Sequence, residues 1–508
     1  MSDKNIRGGF QRGSQRKSIK DDVTSLRKKK RDAAMDSFPA AIEAPTTTPG
    51  IEIHFPPKIT EEYIAEYYAK FDTGDLNDAL TALTAIRMLV SAKQSRNFNI
   101  YRSLIAHNMM PKIFAFCNPA QEEHCKEACW ICTNIASREH EIAVALIDAG
   151  VIPVMASVLK NTESTSIAEQ AIWTLGNVAG EGAEYRITTL DTGVMADIAR
   201  FLGKDMPPKR VRNFTWSTSN IARTPLDPAH ITLLCDLIPA MTAVFVRNQV
   251  DPAAEFSKES KISLEILADV IFFMSFIGDG NESDIRCILN ANLTPAIIQY
   301  ASVPFAKMST AIIRYVGNVI SMDNSATIAD YLIQCGIFPA FDRMLTSPTA
   351  SVRMEVMWAM ANFAAGTPKQ MQCFLDSGFI TKTLELVHRD TAEVVTECAF
   401  VLYNFAGSCT PDQLATLLDC DTIITLVGTL KRTTSRKAKS TLLECLTKIL
   451  RREPKAARQV EDAGGFDVLN SLAFSHYQTL AAAAQQIIDD FFDYEESDGF
   501  ESDGDLIF

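Results

Sequence analysis

The sequence has 508 residues, of which 47% are hydrophobic and 22% charged, and its formal net charge is −13. This composition is typical of a globular protein and excludes disordered, collagenous and fibrous classes. The most apolar stretch, from Ile262 to Gly278, contains Glu265 and Asp269 and is shorter than the ~20 residues that a bilayer span needs, so we expect no transmembrane helix. The 12 cysteines lack a disulfide-like spacing and the N-terminus lacks a secretory signal, which indicates reduced thiols in the cytosol or nucleus.

The first 31 residues hold 11 Lys and Arg and only three acids, a net charge of +8, which leaves −21 for residues 32–508. Within them Ile19, Val23 and Leu26 recur at helical spacing, and five basic residues follow at 27–31. The pattern predicts a basic amphipathic helix. Such a helix binds either a partner protein or a membrane surface, and these residues alone leave both open. We interpret residues 1–40 as a basic arm and residues 41–69 as a flexible linker.

A large side chain followed four residues later by Asn recurs through the middle of the chain. The pairs are Trp130/Asn134, Trp173/Asn177, Trp216/Asn220, Arg314/Asn318, Trp358/Asn362 and Phe400/Asn404, with a degenerate copy at Phe272/Phe276. Successive copies lie 43, 43, 56, 42, 44 and 42 residues apart, and the long interval contains a polar, Pro-bearing loop at 249–255. Extended in both directions, this period predicts about ten units over residues 70–490.

A glycine turn between two apolar helices keeps the same phase, at Gly150, Gly193, Gly336 and Gly378. Each unit is then two or three helices with no strand. A period near 42 residues with helices only indicates armadillo or HEAT repeats. We therefore predict an all-α superhelical solenoid of armadillo or HEAT repeats whose concave surface carries the function.

Positions −3, 0 and +4 relative to each large residue share one helix face, which we call the ladder face. Position −3 is mostly polar or acidic: Glu127, Gln170, Asn213, Asp269, Ala311, Glu355 and Glu397. A lone Trp would most simply belong to a core, but a repeated Asn is costly to bury. On a surface, Asn amides bind the backbone of an extended peptide, Trp rings form slots for Lys or Arg, and acids select positive charge. The ladder therefore predicts a basic-peptide site.

Motifs such as Trp173-Thr174-Leu175-Gly176-Asn177-Val178-Ala179-Gly180 and Trp358-Ala359-Met360-Ala361-Asn362 resemble the importin-alpha family of nuclear-import adaptors, and the resemblance spans nearly the whole chain. It implies an armadillo-repeat, right-handed superhelical solenoid. It also implies a protein without enzymatic activity or cofactor that shuttles between cytoplasm and nucleus through the nuclear pore. It implies a major groove for nuclear localisation signals (NLS) at Trp130, Asn134, Trp173, Asn177, Glu181, Asn213, Trp216 and Asn220. It implies a minor groove at Arg314, Asn318, Glu355, Trp358, Asn362, Glu397 and Asn404, although Phe400 stands where the family usually has Trp.

The resemblance extends to both ends. It implies that the arm binds importin-beta through Arg16, Lys17, Lys20, Arg27, Lys28, Lys29, Lys30 and Arg31, although the second basic cluster of the family is replaced by Asp36-Ser37-Phe38-Pro39. The basic run at 27–31 also looks like an NLS, so the arm could compete for its own groove. The acidic tail, residues 491–508, follows the last repeat, where an export receptor of the CAS type docks in the family. We expect no nucleic-acid binding and no membrane insertion.

The family's pocket for a key lysine is made by Asp, Thr and Gly. Matched by motif, these positions hold Glu181, Ala143 and Arg138 in this chain. Glu181 keeps the negative charge, whereas Ala143 lacks a hydrogen-bond acceptor and Arg138 brings a like charge near the ligand. We therefore expect weaker binding of ordinary one-cluster signals than the family typically shows.

Two other functions agree less well with the sequence. Cys125, Cys129 and Cys132 have the spacing of a radical-SAM iron–sulfur motif, but the repeat places them on a helix instead of a loop, which favours structural cysteines. A catenin-like armadillo scaffold in signalling or adhesion should bind acidic or mixed peptides through basic groove residues. The acidic body and the acids at position −3 favour the import adaptor.

Overall fold

The computed structural model describes residues 51–91, 98–254, 257–321 and 326–492, and these residues form helices and no strand. The chain divides into two units, Met1–Met322 and Asp323–Phe508. The predicted arm, the start of the linker and residues 493–508 of the predicted tail lie outside the described residues.

The first unit contains the following α-helices: α1 Glu61–Ala69, α2 Leu76–Ser91, α3 Ile100–Ala106, α4 Met110–Phe114, α5 Glu122–Ala136, α6 His140–Asp148, α7 Val151–Asn161, α8 Thr165–Glu181, α9 Ala183–Asp191, α10 Met195–Leu202, α11 Pro208–Ile221, α12 Pro228–Leu234, α13 Ile238–Arg247, α14 Lys258–Ile277, α15 Glu282–Asn290, α16 Thr294–Gln299 and α17 Ala306–Ser321. The second unit contains α18 Thr327–Gln334, α19 Ile337–Met344, α20 Ala350–Phe363, α21 Pro368–Asp376, α22 Phe379–Arg389, α23 Ala392–Ser408, α24 Pro411–Asp419, α25 Thr422–Arg432, α26 Arg436–Arg452, α27 Ala457–Asp462, α28 Gly465–Ala473 and α29 Gln478–Phe491.

Every third helix carries the ladder face. In the described residues these ladder helices are α2, α5, α8, α11, α14, α17, α20, α23, α26 and α29, which confirms the prediction of about ten helix-only units. Within the first unit each ladder helix from α2 to α17 packs on the next, and within the second unit α20, α23, α26 and α29 do the same. The ladder side chains of each unit therefore follow one another in space as they do in sequence.

The predicted glycine turns are confirmed by their backbone angles. Gly150, Gly193, Gly336 and Gly378 have φ values of 96°, 76°, 87° and 70°. These angles lie in the left-handed region, where a residue without a Cβ atom is not strained. Each glycine ends one helix of a repeat and lets the chain turn sharply into the next.

Arginine side chains join successive repeats by closing the ends of helices. Arg138 Nη2 donates to the Val90 carbonyl at 3.0 Å, and Arg247 Nη2 donates to the Leu202 carbonyl at 2.7 Å. In the second unit, Arg432 Nη2 donates to Val387 at 2.6 Å in the same way. The last carbonyls of a helix lack partners in their own helix, so a guanidinium from the following repeat satisfies them.

Two features differ from the sequence expectations. Helix α1 lies inside the stretch predicted as a linker, because Ile64 and Tyr68 are buried and the Tyr68 hydroxyl lies 2.9 Å from Ser103 Oγ. By length and composition one stretch of the described residues, Pro228–Arg247, is apolar enough to cross a membrane, and up to three stretches qualify if two sharply bent helix pairs each count as one. The expectation of no membrane span was based on the stretch from Ile262 to Gly278 and missed these stretches. Pro228–Arg247 comprises α12, a 3₁₀ turn and α13. Leu234 and Met241 are buried within the first unit, whereas Leu233 and Val246 are exposed.

Candidate peptide-binding surface

The ladder asparagines link successive repeats of the first unit. Asn177 Nδ2 donates to the Thr133 carbonyl and Asn220 Nδ2 donates to the Gly176 carbonyl, both at 3.3 Å. Each acceptor directly precedes the ladder Asn of the preceding repeat. Asn318 repeats the pattern by donating to the Ser275 carbonyl at 2.8 Å. The amides therefore hold the repeats in register in addition to any contact with a ligand.

The close approach of two ladder helices depends on Gly176 in α8. A Cβ atom at this position would lie 2.6 Å from Ser217 Cβ and 2.7 Å from Ser217 Cα in α11. The glycine therefore lets α8 and α11 come close enough for Asn220 to reach the Gly176 carbonyl. The sequence motif that surrounds Gly176 thus has a packing role.

The aromatic ladder is largely covered. Trp130, Trp173 and Trp216 are 5%, 9% and 6% exposed. Asn134, Asn213 and Asn220 are also buried, and Asn177 is half-buried. A peptide that uses this face must contact the uncovered edges of these side chains or displace the groups that cover them.

A cation from the preceding repeat fills the slot at Trp130. The Arg87 guanidinium lies 4.8 Å from the centroid of the Trp130 ring, and Arg87 Nε donates to Glu127 Oε2 at 2.7 Å. Glu127 occupies position −3 and Trp130 occupies position 0 of the same helix. The predicted combination of an acid and an indole therefore holds a guanidinium, but this guanidinium is the protein's own.

Three buried polar atoms near this slot have no hydrogen-bond partner within the described part of the chain: Trp130 Nε1, Asn134 Oδ1 and Gln170 Oε1. They include one donor and two acceptors, and all three belong to ladder positions of α5 and α8. An unpartnered buried polar group costs about 1–3 kcal/mol, so such atoms are normally satisfied by water or by a ligand. This corner of the ladder face therefore has hydrogen-bonding capacity that the described residues do not use.

Internal cations also neutralise the acid at position −3 of α14. Asp269 is fully buried, and its carboxylate lies 2.5 Å from Lys307 Nζ and 3.8 Å from Arg212 Nε. Glu265 lies 3.2 Å from the same Arg212 nitrogen. Burial lowers the pKa of Arg212, while Asp269 and Glu265 act in the opposite direction. Asp269 is thus already paired and adds less attraction for a basic ligand than its position in the ladder predicts.

The three residues predicted for the key-lysine pocket have different environments. Glu181 Oε2 lies 2.7 Å from Nδ1 of the exposed His140. Arg138 is directed to the Val90 carbonyl, and its guanidinium lies 4.9 Å from the Tyr101 ring centroid. Ala143 is fully buried. Glu181 is partly exposed and has His140 as a partner that the sequence did not reveal.

The predicted minor-groove residues are distributed over both units. Arg314 and Asn318 lie on α17 of the first unit, where the Arg314 guanidinium is 5.7 Å from the Phe272 ring centroid. The second unit carries the others on two packed ladder helices, with Glu355, Trp358 and Asn362 on α20 and Glu397 and Asn404 on α23. Asn404 Nδ2 donates to the Ala361 carbonyl at 2.8 Å, which reproduces the register of the first unit.

The three clustered cysteines lie on helix α5, as predicted, and all three are buried. Cys125 Sγ lies 3.9 Å from Cys129 Sγ. Across the ranges that the structure describes, no group of three or more His, Cys, Asp or Glu side chains is placed to hold a metal ion. The arm residues predicted to bind importin-beta, from Arg16 to Arg31, lie outside those ranges.

Comparison with known proteins agrees with this architecture. Residues 140–180 match the Armadillo/beta-catenin-like repeat family. The chain is 25% identical over 310 residues to importin subunit alpha-1a of Oryza sativa subsp. japonica, across 61% of this chain and 55% of the relative. It is 27% identical over 378 residues to importin subunit alpha-4 of Arabidopsis thaliana, across 73% of this chain and 64% of the relative. The chain thus spans between about half and two thirds of the length of these relatives.

An engineered protein of known crystal structure also matches, with a TM-score of 0.72 at 20% identity over 85% of this chain and 99% of its own. This likeness concerns the fold alone. Together with the helix-only repeats, these comparisons define an armadillo-repeat protein. Among armadillo-repeat proteins, the chain is similar to importin-alpha subunits.

Proposed function

We propose that this protein is a nuclear-import adaptor that binds Lys- and Arg-rich localisation signals along the ladder face of α5, α8 and α11. One observation carries the proposal: Arg87 occupies a slot built from Glu127 and Trp130, next to unused hydrogen-bonding atoms of Trp130 and Asn134. The slot therefore has the chemistry to hold a guanidinium or ammonium group. A cargo side chain that replaces Arg87 would gain the same acid and the same aromatic ring.

The backbone of the cargo peptide has suitable partners beside the slot. Asn amides combine a donor and an acceptor, and such groups bind extended peptides without selecting a sequence. The Asn134 acceptor is unused among the described residues, and Asn177 is half-buried. We propose that backbone binding occurs at these amides and that charge selection comes from Glu127 and Glu181.

The second unit is proposed to bind a further basic cluster. Glu355, Trp358 and Asn362 repeat on α20 the acid, indole and amide of α5, and Glu397 and Asn404 continue the pattern on α23. Phe400 presents a smaller aromatic surface than Trp, so we expect this second-unit part of the minor groove to bind more weakly than the major groove.

The arm is proposed to link cargo to importin-beta through the basic residues from Arg16 to Arg31. In the absence of importin-beta the same residues would compete for the groove in cis. The protein would then shuttle between cytoplasm and nucleus, and an export receptor of the CAS type would return it. We expect neither enzymatic activity nor a cofactor.

A catenin-like scaffold is the alternative, favoured by the internal pairing of Asp269 and Glu127 with cations, which reduces the acidity available to a ligand. Calorimetry with a Lys-rich peptide and an acidic peptide of equal length separates the two functions. The import adaptor predicts a clear preference for the Lys-rich peptide, with tighter binding of that peptide by a protein that lacks residues 1–50, which also loses importin-beta binding. Preference for the acidic peptide would support the scaffold. The deletion ends at residue 50 because Ile64 and Tyr68 of α1 belong to the packed core.

A further inference from the structure

The end of the second unit reverses the charge of the chain. Residues 431–458 contain ten Lys and Arg and only two acids, Glu444 and Glu453, whereas the whole chain has a net charge of −13. This basic segment comprises the end of α25, all of α26 and the start of α27. Nothing in the proposed binding of basic cargo requires such a segment.

Three of these cations share one face of α26. Lys448 and Arg451 lie 11 and 14 positions after Lys437. This spacing places the three side chains within about 60° of one another around the helix. Glu444 lies on the same face and lowers its formal charge to +2. We call this the basic face of α26. Lys437 and Arg451 are exposed, and Lys448 is half-buried.

The basic face continues the ladder with reversed polarity. Lys448 lies 44 residues after Asn404, so it occupies the ladder position of this repeat. Its ammonium group lies 5.4 Å from the ring centroid of Tyr403 on the neighbouring α23. A cation therefore replaces the neutral amide at this end of the second unit, and a peptide that follows the ladder face meets positive charge there.

The acidic end of the chain begins beside this face. Helix α29 packs on α26, and Asp490 Oδ2 lies 3.7 Å from Arg451 Nη2. Two residues later Phe492 is buried, and its ring centroid lies 5.7 Å from that of Phe466. Residues 493–505 follow with seven further acids and no base. The described part of the chain therefore ends close to the basic face, where Asp490 of α29 is already paired, and the sequence that follows is acidic.

We propose that the basic face of α26 is a binding site for acidic peptide segments and that residues 493–505 of the same chain are its resident ligand. Helix α26 is about 26 Å long at 1.5 Å per residue. The 16 residues after Phe492 span up to about 53 Å when extended, so they can reach from Arg451 to Lys437. Tethering by so short a segment gives an effective concentration of the order of millimolar, which favours the chain's own segment over a free competitor.

The inference is independent of basic-cargo binding at α5, α8 and α11. It implies a site of opposite selectivity in the second unit, with the chain's own acidic segment as its ligand. A partner with an acidic segment would have to displace residues 493–505 to use it. Lys437 and Arg451 are solvent-exposed, so binding should weaken steeply with added salt.

Carbodiimide cross-linking of the full-length protein tests the occupant, because it joins carboxylates to lysine amines that are in contact. We expect links from acids within 493–505 to Lys437 or Lys448. An equimolar mixture of unlabelled and ¹⁵N-labelled protein distinguishes links within a chain from links between copies. Links to neither lysine, or links found chiefly between copies, would overturn the assignment.

Fluorescence anisotropy with a labelled peptide of residues 493–508 tests the site. The first full-length variant carries Asn or Gln at the seven acids of 493–505 and should bind this peptide at least tenfold more tightly than the unmodified protein. Adding Lys437→Gln, Lys448→Gln and Arg451→Gln should reverse the gain, whereas the matched changes at the exposed Lys58, Lys160 and Lys209 should not. Equal binding by the first variant and the unmodified protein, or no loss with the α26 changes, would overturn the proposal.

Discussion

The guanidinium of Arg87 lies 4.8 Å from the ring centroid of Trp130, although the two residues belong to different repeats. The contact is closed by the 2.7 Å hydrogen bond from Arg87 to Glu127. The slot that we propose for a cargo cation is thus occupied by the protein's own Arg87, which contacts both Glu127 and Trp130.

Replacing Arg87 by Met should empty this slot. The change leaves the buried Glu127 without its cation, so we expect the free energy of unfolding to fall by about 3–5 kcal/mol. A Lys-rich peptide should supply the missing cation and bind at least tenfold more tightly to the folded variant than to the unmodified protein. Calorimetry and urea unfolding measure the two effects.

The matched double variant, Arg87→Met with Glu127→Gln, removes the charge on both sides. Its stability should recover in part, and the gain in peptide affinity should disappear. A folded Arg87→Met protein whose affinity does not change would show that the peptide does not use this slot.

Gly176→Ala should separate α8 from α11, because its Cβ atom would lie 2.7 Å from the Ser217 Cα atom. We expect the free energy of unfolding to fall by about 1–3 kcal/mol, the range found when an extra group is forced into a packed core. Gly180→Ala is the control on the same helix, since nothing lies within 4 Å of its Cβ position and alanine favours helix by up to ~1 kcal/mol. Equal urea midpoints for the two variants would contradict the packing role of Gly176.

The stability of the first unit should depend on pH through His230, whose Nε2 lies 3.1 Å from Asp191 and whose Nδ1 lies 2.6 Å from Asp227. The hydrogen bond to Asp191 raises the pKa of His230, with a further contribution from Asp227. The stabilisation that protonated His230 provides is therefore complete below about pH 6.5, the pKa of histidine in an unfolded chain. It is lost as pH rises through the raised pKa of His230 in the folded protein. At the acidic end it fades again as Asp227, whose pKa is lowered by hydrogen bonds from His230, becomes protonated.

His230→Gln should therefore destabilise the protein more at pH 6 than at pH 9. The effect should be modest, since Asp191 and Asp227 are largely exposed and water screens the pair. Thermal unfolding at both pH values measures it, and a pH-independent difference would exclude this contact as the source.

Glu181→Gln should weaken a Lys-rich peptide by roughly 10- to 100-fold, since a hydrogen bond to a charged group contributes about 1.5–3 kcal/mol. Glu181→Lys should come close to abolishing binding at the major groove. The exposed Glu184 on α9 provides a control of equal charge change. Unchanged affinity in both Glu181 variants would remove Glu181 from the site.

The structure argues against one way of strengthening peptide binding. The family pattern of Asp, Thr and Gly suggests that Ala143→Thr with Arg138→Gly would restore the key-lysine pocket. Ala143 is fully buried, and Arg138 closes the end of α2 through the Val90 carbonyl. We therefore expect this double variant to lose stability instead of gaining affinity.

The sequence predicted the features that the repeat period controls: one ladder helix in each unit and the turns at Gly150 and Gly336. It left open whether a unit has two or three helices. It did not predict which cation of a neighbouring repeat approaches Trp130 or Asp269, since these contacts depend on how the helices stack. The sequence did contain a signal for these cation–aromatic contacts. Arg87, which lies 43 residues before Trp130, and Arg314 both occupy position 0, and each lies over the aromatic residue at position 0 of an adjacent repeat. Helix α1 was missed because its buried residues, Ile64 and Tyr68, lie among charged and polar neighbours.

The most direct test of the central claim uses the protein's own tryptophans. The chain has four, Trp130, Trp173, Trp216 and Trp358, and all lie at position 0 of the ladder. Titration with a Trp-free, Lys-rich peptide should therefore change the intrinsic tryptophan emission saturably, with the dissociation constant that calorimetry gives, and an acidic peptide should leave the emission unchanged. Calorimetric binding of the Lys-rich peptide without a change in tryptophan emission would contradict binding on the ladder face.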